Sequence, residues 1–106
     1  MKNIIEELIK FRDEREWKLF HNAKDLSLAL SIEASELLEL FLWKDPECAN
    51  SDKIKEELAD IMSYCLLLCE KYDLDPQKII LDKINVNRQK YPIDKAKGVA
   101  TKYTEL

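Results

Sequence analysis

Apolar residues recur along most of the chain at intervals of three and four, which is the spacing of an amphipathic helix. Short polar breaks with proline or helix-capping residues interrupt this spacing at HNAKD, KDPECANSD and DLDPQK. The pattern predicts four helices, over about residues 3–20, 26–43, 53–71 and 76–90. The single glycine, Gly98, excludes a glycine-rich phosphate loop and most tight hairpins. We therefore predict an all-α four-helix bundle.

Residues that accept hydrogen bonds from the first turn of a helix precede three of the predicted helices. The candidates are Asn22 or Asp25, then Ser51 or Asp52, and finally Asp75, which is followed by Pro76 at the first helical position. The YP pair ends the fourth helix, because the residue before a proline disfavours the helical conformation. Residues 92–106 show no clear periodicity, so we expect a C-terminal arm there.

The length and net charge of the chain indicate how many domains it has and which partners it binds. A length of 106 residues predicts one domain spanning residues 1–106. A domain this small buries about two-thirds of its unfolded surface, which favours a core shared with another subunit. The net charge of −4 argues against binding a nucleic acid polymer. No apolar run approaches the ~20 residues of a membrane span, so we expect no membrane contact.

The N-terminal segment and the cysteine count both indicate the cellular compartment. The N-terminal MKNIIEELIKF has acidic residues among its apolar ones, so we expect no signal peptide. Three cysteines are an odd number with no secreted disulfide framework. We therefore expect a protein of the reducing cytoplasm.

Two glutamates lie beside the apolar arc of the second predicted helix. Glu33 and Glu36 are one turn apart and alternate with Ala29 and Leu40 around the helix. This helix is apolar around most of its circumference, which predicts a central position. An enclosed carboxylate without a partner costs several kcal/mol or more, so the pair requires an explanation.

The third predicted helix carries a matching acidic pair. Glu57 and Asp60 are neighbours on one face, and Tyr64 lies one turn further along it. Helices joined by a short connection pack antiparallel, which would bring this pair to Glu33 and Glu36. Four close carboxylates repel one another unless cations lie among them. An oxygen-only ligand set suits Mg²⁺ or Mn²⁺, and these ions suit phosphoryl substrates. The alternative to a metal site is that the four acids form a solvated face on a non-catalytic helical interaction module.

The acidic segments and several aromatic ones resemble a known family. EASE followed about 20 residues later by EELAD resembles the acidic motif of the MazG-like, all-α nucleoside triphosphate pyrophosphohydrolases. EREWKLFH, LFLWK, DIMSY, NRQKYP and KYTEL are similar, in order and spacing, to segments of the dCTP pyrophosphatase branch. The resemblance covers nearly the whole chain. It implies Mg²⁺-dependent hydrolysis of a (deoxy)nucleoside triphosphate, dCTP or a related pyrimidine, to the monophosphate and pyrophosphate.

The resemblance also implies roles for individual residues. By matching position the metal ligands are Glu33, Glu36, Glu57 and Asp60, and either Glu36 or Glu57 is the catalytic proton acceptor. The substrate-binding positions are Trp17, His21, Trp43 and Tyr64 around the base and sugar, Asn87 as an amide contact, and Lys83 for the phosphates. The family implies a homodimer or homotetramer in which two chains share each active site.

One position departs from the dCTP pyrophosphatase branch. That branch has a histidine on the first helix where this chain has Leu8. A group able to hydrogen bond near the base is missing here, and an apolar contact discriminates weakly between bases. The alternatives to a cytosine-specific enzyme are therefore a dUTP pyrophosphatase or a broad-range NTP pyrophosphatase. A module that binds nucleotide without turnover is a separate alternative of another class.

Overall fold

The structure, a computed structural model, describes residues 1–106 and contains helices and no strand. Five α-helices follow one another: α1 (Lys2–Glu14), α2 (Ala23–Glu39), α3 (Ser51–Lys71), α4 (Pro76–Lys90) and α5 (Ile93–Ala96). Short 3₁₀ turns lie at Trp17–Phe20, Pro46–Cys48 and Tyr103–Glu105. The predicted all-α class is confirmed, and α1 to α4 are the four helices that the apolar spacing predicted.

Two helices end earlier than predicted, and a left-handed residue follows each of them. The first was expected to reach residue 20 but ends at Glu14, because Glu16 takes a left-handed conformation with φ 55°. The second was expected to reach residue 43 but ends at Glu39, and Trp43 is left-handed with φ 60°. A left-handed residue cannot continue a right-handed helix. In both places the apolar spacing continues through a tight turn, so the sequence pattern does not show the end.

Two of the predicted caps form in the structure. The side-chain oxygen of Asn22 accepts a hydrogen bond from the backbone N–H of Asp25 at 2.8 Å. Asp75 accepts bonds from the N–H groups of Gln77 and Lys78 at 3.0 and 3.3 Å. Each cap satisfies backbone donors that have no partner within the helix.

The predicted cap of α3 is wrong by one residue. Asn50, rather than Ser51 or Asp52, accepts the N–H groups of Asp52 and Lys53 at 3.0 and 3.1 Å. Asparagine is as good a cap as serine or aspartate, and three capping residues in a row leave the choice to the backbone conformation. Asn50 is extended, with φ −72° and ψ 114°, which is the conformation that a cap requires.

The chain forms two compact units, residues Met1–Asp73 and Leu74–Leu106. In the first unit, α2 packs along α3, and α1 also packs against α3. Its buried hydrophobic residues come from α2 and α3: Leu26, Leu66, Leu67 and Cys69. This small core is what fixes α2 against α3. That a single domain spans the chain stays a prediction.

The second unit consists of α4, α5 and the last 3₁₀ turn. Tyr91 and Tyr103 meet edge to face, with ring centroids 6.0 Å apart, and the ammonium of Lys90 lies 4.7 Å from the Tyr103 ring. These contacts attach the end of the chain to the end of α4. The C-terminal arm is therefore more structured than its lack of periodicity indicated.

Many large apolar side chains face solvent. Leu38 is 66% exposed, Leu19 71% and Trp43 94%. Scattered exposed apolar residues are normal, but this chain buries so few of its apolar side chains that much apolar surface remains in contact with solvent. None of the helices combines the length and the hydropathy that a membrane span requires.

Candidate active site

Three carboxylates meet where α2 packs against α3. One oxygen from each of Glu33, Glu36 and Glu57 lies within 4.8 Å of the other two. Glu33 and Glu36 face the same way because they are three residues apart on α2. The packing of α2 on α3 then brings Glu57 to them. We call these three residues the acidic cluster.

The acidic cluster is electrostatically unbalanced. Oε2 of Glu33 and Oε2 of Glu57 are buried, and neither has a hydrogen-bond partner. A protonated Glu33 would donate a hydrogen bond to Glu57; this bond, then burial, then the nearby Glu36 and Asp60 raise the pKa of Glu33 to about 7. Such carboxylates need a proton or a cation between them. An all-oxygen donor set that lacks its own counter-charge fits Mg²⁺ or Mn²⁺.

Asp60, the fourth predicted ligand, lies near the acidic cluster without belonging to it. Its oxygens are not within the 4.8 Å group, yet its charge contributes to the raised pKa values of Glu33 and Tyr64. Asp60 follows Glu57 by three residues on α3, and it borders a neighbouring cavity. It therefore connects the acidic cluster to that cavity.

This cavity, which we call the aromatic cavity, has a volume of about 410 Å³. It is bordered by α1, the first 3₁₀ turn and α3, and it brings together Trp17, His21 and Tyr64. Phe11 also borders it and meets Trp17 edge to face, with centroids 5.7 Å apart. Cavities of this size that are mostly apolar with a few polar groups are typical of small-molecule sites.

Two titratable groups of the aromatic cavity are held neutral. Burial, and then the charge of Arg12, lower the pKa of His21, whose Nδ1 is buried without a hydrogen-bond partner. Burial, and then the charges of Glu33, Asp60 and Glu36, raise the pKa of Tyr64. At neutral pH the cavity therefore presents a neutral imidazole and a protonated phenol, both able to form directional hydrogen bonds.

An open cleft of about 500 Å³ lies at the acidic cluster and is bordered by Glu36, Glu57 and Lys53. The carboxylates are thus accessible from solvent on this side. Lys53 brings an ammonium group to the same cleft. Lys53 is not among the residues predicted from the sequence, although its place one helical turn before Glu57 puts it on the same helical face.

Three of the six predicted substrate-binding residues do not border the aromatic cavity. Trp43 is almost fully exposed, and Lys83 and Asn87 are exposed on α4 in the second unit. Trp17, His21 and Tyr64 are the three that the structure brings together. The roles assigned to all six stay predictions.

Arg12 is a residue of the aromatic cavity that the sequence analysis missed. Its exposed fraction is 5%, and it borders the cavity beside Leu8, one helical turn earlier. Its Nε donates to Asp13 at 2.9 Å and its Nη1 donates to Glu70 at 3.3 Å. The available signal was its spacing, because Arg12 lies four residues after Leu8 and so shares that residue's helical face.

The sequence and the fold both match known proteins. The model of the MazG-like family matches residues 28–106, and the chain belongs to that family. Among curated proteins, it is 36% identical over 105 residues to dCTP pyrophosphatase 1 of Rattus norvegicus and 37% identical to that of Homo sapiens. Each match covers 92% of this chain and 62% of the relative, so the chain spans about three-fifths of the length of these relatives.

A solved structure gives the same result for the fold. A pyrophosphatase from Archaeoglobus fulgidus superposes with a TM-score of 0.76 at 34% identity, covering 87% of this chain and 92% of the other. The resemblance to the MazG-like family and its dCTP pyrophosphatase branch is thereby confirmed.

Proposed function

We propose that this protein is a nucleoside triphosphate pyrophosphohydrolase that converts dCTP or a related pyrimidine dNTP to the monophosphate and pyrophosphate, using Mg²⁺ or Mn²⁺. The observation that carries the proposal is the position of the acidic cluster, whose oxygens lie within 4.8 Å of one another. Asp60 connects it to the aromatic cavity, and an open cleft borders it as well. A base in the cavity and a triphosphate at the carboxylates fit this arrangement.

Four carboxylates would hold the metal: Glu33, Glu36, Glu57 and Asp60. The buried, unpartnered oxygens of Glu33 and Glu57 are the strongest support, because a cation would satisfy both. When bound, a divalent ion neutralises the triphosphate and lowers the pKa of the attacking water. Glu36 or Glu57 accepts the proton of that water as it attacks the α-phosphorus.

Side chains of the aromatic cavity would hold the base and sugar. Trp17 offers a ring for stacking, and its contact with Phe11 restricts the ring's orientation. His21 and Tyr64, both neutral, supply directional hydrogen bonds. Lys53, at the cleft beside Glu57, joins Lys83 as a candidate for the phosphates.

We further propose that the active enzyme is a homodimer or homotetramer. The small core and the exposed Leu19, Leu38 and Trp43 leave apolar area for a second copy to cover. An exposed Trp43 is then available to complete the site of a partner subunit, with Asn87 as the amide contact. Light scattering in line with size-exclusion chromatography tests this, and a monomer at all concentrations would contradict it.

The exposed thiols of Cys48 and Cys65 form no disulfide, which suits the reducing cytoplasm. A role in removing excess or non-standard nucleotides from the pool follows from the proposed chemistry.

One observation favours a broader substrate range: Leu8 places an apolar side chain in the aromatic cavity. The second candidate is therefore a dUTP or broad-range NTP pyrophosphatase.

Pyrophosphate release from a panel of dNTPs and NTPs, with Mg²⁺ and with a chelator, tests the function. We expect release from pyrimidine dNTPs that requires the metal and is lost in Glu36→Gln. Glu6→Gln is the matched control, because Glu6 is an exposed glutamate on α1 away from the acidic cluster. No release from any member of the panel, at high enzyme concentration, would refute the proposal.

A non-catalytic helical module is the rival from another class. It predicts that Mg²⁺ leaves the melting temperature unchanged in the parent and in Asp60→Asn alike. A metal site predicts that Mg²⁺ raises the melting temperature of the parent and that the effect is weakened in the variant. Melting curves with and without Mg²⁺ therefore separate the two without an activity assay.

A further inference from the structure

Arg12 is the only buried charged or polar residue of the chain, and its position is unusual. Its side chain is 6% exposed, yet it borders the aromatic cavity rather than lying inside the apolar core. A buried guanidinium is costly, and replacing such a group by an apolar one is often neutral or stabilising. Stability alone therefore does not explain an arginine at this position.

Two carboxylates fix the orientation of the guanidinium. Asp13 accepts from Nε at 2.9 Å, and Glu70, which comes from α3, accepts from Nη1 at 3.3 Å. An arginine has five N–H groups, so these two bonds leave three N–H donors on a residue that borders the cavity. The guanidinium stays charged and cannot accept a hydrogen bond. Arg12 therefore has free N–H donors beside the cavity, and its two carboxylate partners restrict its orientation.

Neither Leu8 nor His21, which border the cavity near Arg12, offers a charged hydrogen-bond donor. Leu8, one helical turn earlier, has no polar atom to offer to a base. His21 is neutral, because burial and the charge of Arg12 both disfavour its protonation. Arg12 is therefore the charged donor of this part of the cavity, in a position that shares a helical face with Leu8.

The pyrimidine bases differ in how they meet such a surface. Cytosine presents two adjacent acceptors, N3 and O2, to which a guanidinium can donate two parallel hydrogen bonds, as arginine does to O6 and N7 of guanine. Uracil and thymine have an N–H at position 3, which faces the arginine as a second donor. A donor-only group consequently pairs fully with cytosine and incompletely with uracil or thymine.

We propose that Arg12 is a specificity-determining residue that selects cytosine by donating two hydrogen bonds to N3 and O2 of the base. It supplies, from one turn further along α1, the polar contact that Leu8 does not supply. The inference deepens the proposed function and rests on it, because it takes the aromatic cavity to be the site of the base.

The test measures binding of monophosphates, so it does not depend on turnover. Calorimetry compares dCMP, dUMP and 3-deaza-dCMP, in which a C–H replaces N3 and O2 is kept. We expect the parent to bind dCMP about tenfold or more tightly than either of the others, the discrimination typical of a bidentate contact. The comparison of dCMP with its 3-deaza analogue uses the parent alone and needs no variant to fold.

Two protein variants, each measured with dCMP and with 3-deaza-dCMP, test whether the preference depends on Arg12. Arg12→Lys keeps the charge but loses the planar pair of donors, and we expect the ratio of dCMP to 3-deaza-dCMP affinity to fall to about twofold or less. Arg15→Lys is the matched control, because Arg15 is an exposed arginine on the same stretch whose guanidinium lies 3.8 Å from the Phe11 ring. We expect this control to keep the preference of the parent.

Equal affinity of the parent for dCMP and 3-deaza-dCMP, or a preference that survives Arg12→Lys, would overturn the proposal, as would no binding of any of the three. Failure of the proposed function gives a different result. In that case no triphosphate is hydrolysed while an Arg12-dependent preference for dCMP remains.

Discussion

Replacing Glu57 by glutamine should stabilise the metal-free protein and remove its stabilisation by Mg²⁺. Oε2 of Glu33 and Oε2 of Glu57 are both buried without a hydrogen-bond partner, and one oxygen of each residue lies within 4.8 Å of the other residue's. Glutamine has nearly the same shape as glutamate, carries no charge and brings an amide that can donate to Glu33. The substitution therefore removes the largest cause of the raised pKa of Glu33.

The magnitude follows from that pKa. Its rise from 4.5 to about 7 costs roughly 3 kcal/mol when Glu33 is ionised, at 1.36 kcal/mol for each tenfold change. Glu33 is partly exposed, so solvent screens part of this cost, and we expect a gain of about 1–2 kcal/mol. The folded protein binds the Glu33 proton more tightly than the unfolded chain does, so stability is lost as the pH rises from 4.5 to about 7. The gain in Glu57→Gln should accordingly be near zero at the lower pH and complete above the higher one.

Urea unfolding in a chelator, at the two ends of this pH range and at fixed protein concentration, measures the difference. Repeating the titration with Mg²⁺ at about 100 times its dissociation constant should add about 2.7 kcal/mol to the parent and little to the variant. Glu6→Gln should behave like the parent in every condition. A Glu57→Gln protein that is less stable than the parent above neutral pH in chelator, or that gains as much from Mg²⁺, would refute the reasoning.

Three further substitutions act on the aromatic cavity, the core and the cap of α3. His21→Asn should weaken the loss of stability that the parent shows as the pH falls below about 6.5, because the unfolded chain takes up the His21 proton before the folded one does. Melting temperatures of the parent and the variant between about pH 8 and pH 5, the range over which histidine titrates, measure this difference. Leu26→Ala, at a side chain that is 3% exposed, should cost about 2–4 kcal/mol in urea unfolding. Asn50→Ala should cost about 1 kcal/mol by the same measurement, because two backbone donors of α3 lose their acceptor.

Each of these predictions has a result that contradicts it. Parallel pH profiles for the parent and His21→Asn would show that the imidazole is not held neutral by burial. A cost well below 1 kcal/mol for Leu26→Ala, outside the roughly 2–5 kcal/mol usual for a buried leucine, would place the core elsewhere. Asn50→Asp is the conservative partner of the alanine variant and should retain most of the cap, since aspartate caps as well as asparagine does. Equal losses of stability in the two variants would contradict the role of the cap.

The acidic cluster could be predicted from the sequence because helical geometry is regular. Residues three apart share a face, so Glu33 with Glu36 and Glu57 with Asp60 were expected to act in pairs. The apolar spacing likewise predicted α3 and α4 to within two residues of the observed ends. How closely each acid approaches the others depends on the packing of α2 on α3. That packing brings Glu57 into the group and leaves Asp60 outside it.

The ends of α1 and α2 could not be predicted, since no glycine marks them. Glu16 and Trp43 adopt the left-handed conformation that glycine or asparagine usually occupies. The consequence for the site is direct. The turn after Glu16 starts the 3₁₀ segment that carries Trp17 to the aromatic cavity, whereas the turn at Trp43 leaves that side chain exposed.

Arg12 shows a different limit of the sequence pattern. A charged residue on an amphipathic helix usually belongs to the solvated face, and α1 has many charges. Arg12 is nevertheless buried, and its guanidinium donates to Glu70, 58 positions later, at 3.3 Å. Such a long-range pair depends on the packing of α1 against α3, which the spacing of residues within one helix does not encode.

We propose that water attacks the α-phosphorus of a nucleotide at the acidic cluster, in the presence of Mg²⁺. Hydrolysis of dCTP in ¹⁸O-labelled water, followed by mass spectrometry of the products, shows which phosphorus is attacked. We predict equal amounts of dCMP and pyrophosphate, with the label in dCMP and with no products in Glu36→Gln. Label in the pyrophosphate, dCDP with orthophosphate as the products, or no hydrolysis by the parent would contradict the claim.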